Sequence, residues 1–320
     1  MNSKPGQFLL VVLLLLLLVG IGLFTGRFTI YLTMRVMILG IFALGYNLLL
    51  GRTGLLSFGH GAFYAAGAYG LGFFTLHLSP HPLLGLLAGV LLAMVLALII
   101  GFFCVRHTEI YFAMLTLAFG MMIFSLIWNA REITGGDDGL VGIMRGPFTF
   151  FGLFTLPINQ DAQYYFLVLT VFIVGIWVVH RIRVSPFGLA LAGIRENSNR
   201  AEFAGLSVKN YRLAVFILSG AFAGLAGALE TLLESNARPF MAHWSHSAEP
   251  VLVSLLGGLQ TFSGPLVGAV FFVAMRELIQ RLTENWMLWF GIVLLIIIMG
   301  FRGGVVGVFK RLSGGSQPGP

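Results

Sequence analysis

Charged side chains are scarce in this 320-residue chain: Asp, Glu, Lys and Arg make up 10% of it, against roughly 25% in a soluble domain. That shortage excludes an ordinary water-soluble enzyme and any disordered or fibrous class. Lysine is scarcest, present only at Lys4, Lys209 and Lys310. None of the three ends a G-x-x-x-x-G-K-[ST] loop, so the chain cannot bind ATP in the Walker manner. A lone cysteine, Cys104, removes disulfide frameworks and thiolate clusters. No H-E-x-x-H occurs, Ser57 is not in a G-x-S-x-G context, and His243 and His246 lack a carboxylate or thiolate at convincing ligand spacing. No catalytic residue, bound cofactor or metal is expected on this chain.

What is abundant is apolar. Hydrophobic residues are 58% of the chain, about 186 positions, and a membrane-spanning helix needs about 20 of them. Nine or ten spans account for nearly all of that supply. Glycine, at 42 residues, is nearly twice the usual ~7%, which suits helices that approach closely through small side chains. The net charge of +7 then reports topology and contact with anionic membrane lipid, and nucleic acid is not an expected partner.

Apolar runs between polar breaks place spans near 8–26, 29–50, 54–78, 83–105, 110–130, 163–180, 212–233, 251–263, 265–283 and 286–301. The fold class is an all-α polytopic bundle, with residues 1–320 as one transmembrane domain. The region 251–283 reads as one span kinked at Pro265 or as two; Ser263-Gly264-Pro265 is a strong break and favours ten spans over nine. The first run lacks a small-residue cleavage site and is expected to remain uncleaved. Arg181, Arg183, Arg195, Arg200, Lys209 and Arg212 collect in and beside the loop 181–211, which places it in the cytoplasm together with both termini. The loops 131–162 and 234–250 then face outward. Arg35 lies inside the second span, snorkelling outward or facing the bundle interior, and Glu230 ends the seventh span near the outer surface.

Two apolar segments are interrupted in a related way. Gly54-Leu-Leu-Ser-Phe-Gly-His-Gly61 and Gly258-Leu-Gln-Thr-Phe-Ser-Gly-Pro265 share a Gly-Leu-x-(Ser/Thr)-Phe core. The pair reads either as an internal duplication or as ordinary small-residue packing. Broken segments in two halves of a membrane chain point to a transport pathway, because irregular backbone at membrane depth survives only against protein or a wet cavity. The candidate pathway residues are Asn47, Ser57, Phe58, His60, Thr261, Phe262 and Ser263.

The loop between the sixth and seventh spans begins Ser185-Pro186, a helix-start signal, and is predicted to form one or two short helices over 187–204 before Gly205 turns the chain. Such an amphipathic element either lies on the lipid surface or docks into a partner's groove. Its sequence, R-x-S-P-F-G-x-A-L-x-x-I-R-E-N and then A-E-x-x-G, with A-G-L-A-G-A-L at 223–229, resembles the inner-membrane permeases of bacterial branched-chain amino-acid ABC importers. So do G-Y-N-L-L-L-G-R-T-G-L-L-S-F-G-H-G-A-F-Y-A-A-G-A-Y at 45–69 and L-L-G-G-L-Q-T-F-S-G-P-L-V-G-A at 255–269. The chain departs from the family pattern at Ser198-Asn199 and Gln260-Thr261.

The resemblance implies a non-enzymatic subunit that pairs with a second, homologous permease. It implies cytoplasmic ATP-binding subunits that hold ATP and Mg, and a periplasmic binding protein that delivers the substrate. It also places Arg195, Glu196, Arg200, Glu202 and Gly205 in the ATPase-coupling element. Importers of urea and amides share much of the pattern. An ion-coupled secondary carrier built on broken helices is the alternative from another class, and the lack of an acidic residue clearly inside a span counts against it.

Overall fold

The computed structural model describes residues 5–107, 109–146, 148–150, 154–156, 160–300 and 304–307, with side chains left out over 5–11, 148–150, 154–156 and at residue 298. The helices are α1 (Pro5–Phe24), α2 (Arg27–Thr53), α3 (His60–His77), α4 (Pro82–Cys104), α5 (Glu109–Asn129), α6 (Arg131–Thr134), α7 (Asp161–Val184), α8 (Pro186–Glu196), α9 (Ser198–Phe203), α10 (Val208–Glu234), α11 (Trp244–Gly257), α12 (Gly264–Leu282) and α13 (Trp286–Gly300). Five of them, α2, α4, α5, α7 and α10, are long and apolar enough to cross a membrane. The expected all-α class holds. Two expected spans are displaced: α3 starts at His60 rather than 54, and α11 covers Trp244–Gly257 rather than 251–263, with 258–263 left outside any helix. Apolar runs overstate helix length wherever glycines lower helix propensity while keeping the run hydrophobic.

The centre of the bundle is made by α2, α3, α4 and α10. Small residues allow it. A methyl group on Gly67 would collide with the Gly224 carbonyl, and one on Gly227 with the Tyr64 carbonyl, so α3 and α10 cross with their backbones in contact. Around that crossing Phe42, Phe63, Phe112 and Phe216 are fully buried, while Leu87, Leu91, Val95 and Ile99 of α4 and much of α13 stay exposed. Apolar side chains turned outward are what lipid contact requires.

Loop 131–162 is ordered and poor in helix over its described part. Its strand β1 (Leu140–Val141) pairs antiparallel with β4 (Asn236–Ala237) of the other expected outer loop, and β2 (Phe148–Phe150) with β3 (Phe154–Leu156). Pro147 and Pro157 of this loop lie outside the described residues. Arg145 fastens the two loops to the bundle: its guanidinium donates to the Leu232 and Leu233 carbonyls at 2.7 and 3.0 Å and pairs with Asp161 at 2.8 Å. Carbonyls in the last turn of a helix have no intrahelical donor, so a guanidinium there satisfies them and meets the negative end of the helix dipole.

Candidate functional site

Both expected breaks are non-helical, but their polar groups are disposed differently. In the first, Gly54 takes a left-handed conformation (φ 75°) and closes α2, and the chain runs irregularly to His60. The Tyr46 hydroxyl donates to the Ser57 carbonyl at 2.9 Å and accepts from the Ser57 N–H at 3.0 Å, so one oxygen satisfies both backbone groups. His60 bridges Ser57 and Ser219, with Nδ1 2.9 Å from Ser57 Oγ and Nε2 2.8 Å from Ser219 Oγ. The Phe58 N–H reaches Thr116 Oγ1 at 3.2 Å and the Gly61 N–H reaches Ser247 Oγ at 2.7 Å. Ser57, His60 and Ser219 have no exposed surface at all. The structure thus brings Ser57 and His60 together in a polar knot that ties α2, α3, α5, α10 and α11.

The second break is half-open. Thr261 Oγ1 donates to the Gly258 carbonyl at 3.0 Å; Thr261 and Phe262 are half-buried and Ser263 is exposed. Phe262 lies under the Arg183 guanidinium at 5.3 Å and meets the His180 ring at 5.4 Å. Asn47 on α2 is buried with Oδ1 unpartnered, and a side chain added at the neighbouring Gly51 would strike both Asn47 and the Leu259 carbonyl. Asn47 therefore belongs with the second break, separate from the knot around His60.

The loop element folds as the helix-start signal predicts. Ser185 Oγ accepts from the Gly188 N–H at 3.3 Å with Pro186 in the first turn of α8, Asn197 caps α9, and Gly205 turns the chain at φ 88°. Leu191 and Ile194 are buried against the bundle. Arg195 reaches back and donates from Nη1 to the Gly51 carbonyl at 2.6 Å, capping the last turn of α2. Glu196, Arg200, Glu202 and Gly205 are exposed, and Phe203 beside them is 93% exposed.

At the other end of α2 lies a cavity of about 500 Å³. Tyr31, Arg35, Ile38 and Phe42 of α2 line it, with Tyr64 of α3, Glu230 and Glu234 of α10, His246 and Glu249 of α11, and Phe272 and Arg276 of α12. Tyr31 donates to Glu234 at 2.6 Å and Tyr64 to Glu230. Glu249 sits 3.4 Å from His246 and 3.8 Å from Arg276. Glu230 is thus half-buried and bonded inside the bundle, contrary to the surface position expected for it, and Arg35 faces the interior. Charged groups persist among apolar helices when they face a polar cavity, and this cavity is the reason both are tolerated. Single polar residues in apolar runs flagged Arg35 and Glu230. Their convergence was invisible because it depends on α2 and α10 lying side by side.

A family model described as branched-chain amino acid transport system, permease component, matches residues 28–301. The chain belongs to that family. Curated relatives agree: the high-affinity branched-chain amino acid transport system permease protein LivM of Escherichia coli K12 is 30% identical over 94% of this chain and 75% of its own length. The probable branched-chain amino acid transport permease protein LivH of Methanocaldococcus jannaschii is 26% identical over 76% and 77% respectively. The E. coli LivH permease is 22% identical over 72% of this chain and 78% of its own. No solved structure matches. Membership makes the chain a multi-pass membrane permease component, and it removes the support for a secondary carrier.

Proposed function

We propose that this permease is the membrane subunit of an ATP-binding-cassette importer for branched-chain or related small amino acids. Cytoplasmic ATPase subunits act on it through α8 and α9, and a periplasmic binding protein loads it from the outer side. The observation that carries this reading is the seat of the α8–α9 element. Its inner face is anchored to the end of α2 by Arg195, and its outer face presents charged side chains and the bare ring of Phe203 to a partner. A lone exposed aromatic amid charges fits a protein groove, where such a side chain supplies most of the contact energy. From Gly51 to Arg35 is 16 residues of continuous helix, about 24 Å at 1.5 Å per residue, so force applied at α8 reaches the cavity along one rod.

A second homologous permease completes the pathway, and the kinship of this one chain to both LivM and LivH supports that pairing. ATP and Mg belong to the ATPase partners. The permease sits in a bacterial inner membrane with the N-terminus, probed through its loops, on the cytoplasmic side. Purifying the tagged chain in mild detergent is expected to bring down an ATPase and a second permease in stoichiometric amounts; recovery of the chain alone, stable and monomeric, contradicts the assignment. A cysteine at the exposed Asp138 is expected to react with a membrane-impermeant thiol reagent added from outside. Labelling only after permeabilisation would invert the orientation.

A further inference from the structure

The cavity holds charges that the chain leaves unpaired. Glu230 and Glu234 lie four residues apart on α10, so their carboxylates share one helix face, where like charges repel. Each accepts from a tyrosine hydroxyl, and among the described residues neither has a cationic group within ion-pair distance. Arg35 is the complement. Its guanidinium lies 5.9 Å from the Tyr31 ring centre and feels the fields of Glu230, Glu234 and Glu249, yet contacts none of them as an ion pair. Of the other charges lining the cavity, Arg276 and His246 share Glu249, Glu277 pairs with Arg281, and Arg238 is exposed at the cavity's edge. Two buried atoms on the lining, His246 Nε2 and Asn236 Oδ1, have no hydrogen-bond partner among the described residues. A buried polar atom without a partner costs about 1–3 kcal/mol, which a ligand that supplies the partner recovers.

A cation alone would satisfy the carboxylate wall and leave Arg35 bare, and an anion alone would do the reverse. A molecule with an ammonium and a carboxylate on one carbon satisfies both, and the apolar side of the cavity at Ile38, Phe42 and Phe272 then receives its side chain. The volume falls within the range of small-molecule sites, roughly 300–1,000 Å³. We infer that the cavity at the outer end of α2 binds the α-amino-acid zwitterion, with Glu230 and Glu234 taking the ammonium and Arg35 the carboxylate. This assignment rests on the reading of the chain as an amino-acid permease.

The test uses the purified complex of this chain with its partner subunits, without binding protein, and radiolabelled L-leucine at millimolar concentration. Wild-type complex is expected to retain leucine. Neither isopentylamine, which lacks the carboxylate, nor 4-methylpentanoate, which lacks the ammonium, should displace it at tenfold excess. Arg35→Gln, or Glu230→Gln with Glu234→Gln, should lower binding at least tenfold in a complex that stays monodisperse. If the double substitution prevents assembly, Glu234→Gln alone, which keeps an acceptor for Tyr31, should still weaken binding severalfold. Monodisperse variants that bind leucine as wild type does, or displacement by isopentylamine as effective as by leucine itself, overturn the site. ATP-driven leucine uptake by the wild-type complex, measured in parallel in proteoliposomes supplied with loaded binding protein, separates the two levels. Uptake without binding at these residues overturns the site alone, while absence of uptake for every aliphatic amino acid overturns the permease reading beneath it.

Discussion

Replacing Tyr46 with phenylalanine is expected to destabilise the permease by about 2–6 kcal/mol, through the loss of one oxygen atom. The ring stays, with its edge contact to His60 at 4.8 Å, so packing is unchanged. What goes is, among the described residues, the only partner of both the Ser57 N–H and the Ser57 carbonyl, in a non-helical segment where Ser57 is fully buried. Each buried backbone group left unpaired costs about 1–3 kcal/mol. The matched control is Tyr69→Phe. Tyr69 is also buried, but its hydroxyl has no hydrogen-bond partner among the described residues, so its removal should be neutral or slightly stabilising. Size-exclusion profiles after stepwise heating in detergent compare the two. Equal melting of both variants would show that the Tyr46 bonds do not hold the break together.

The physics of the break also explains how far the sequence could be read. Gly54, Gly258 and Pro265 announce irregular backbone because no other residues tolerate or impose it so strongly, and both interruptions fall where those residues predict. The helix start at Ser185-Pro186 and the turn at Gly205 were legible for the same local reason. What closes the first break was not. Tyr46, Ser219, Thr116 and Ser247 come from four different helices, and each on its own is an ordinary polar residue in an apolar run. Nothing in the spacing of Ser57 and His60 tells whether their polar atoms face a passage or each other; in this structure they face each other.

The cavity was hidden by a related limit. Arg35 and Glu230 each stood out singly, and a lone charge near a span end reads equally well as a snorkelling side chain. Glu249 and Arg276 sit in the short α11 and the amphipathic α12, whose hydropathy gives them no prominence. Only helix packing joins them. Arg195 is the instructive intermediate case: family resemblance places it in the coupling element, and the structure adds its bond to the end of α2.

That bond carries the central claim, that movement of an ATPase enters this chain at α8 and leaves along α2. The guanidinium at the Gly51 carbonyl is a charge-assisted hydrogen bond worth about 1.5–3 kcal/mol, on a helix end that has no other donor for that oxygen among the described residues. Arg195→Ala should cut this link and leave Leu191 and Ile194 to hold α8 in place. The deciding measurement is ATP hydrolysis and leucine uptake on the same proteoliposomes, containing the complete complex and supplied with loaded binding protein. The expected result is hydrolysis within about twofold of wild type and uptake reduced at least tenfold, a shift of roughly 1.4 kcal/mol or more in coupling. Wild-type uptake per ATP hydrolysed in the Arg195→Ala complex would contradict the account.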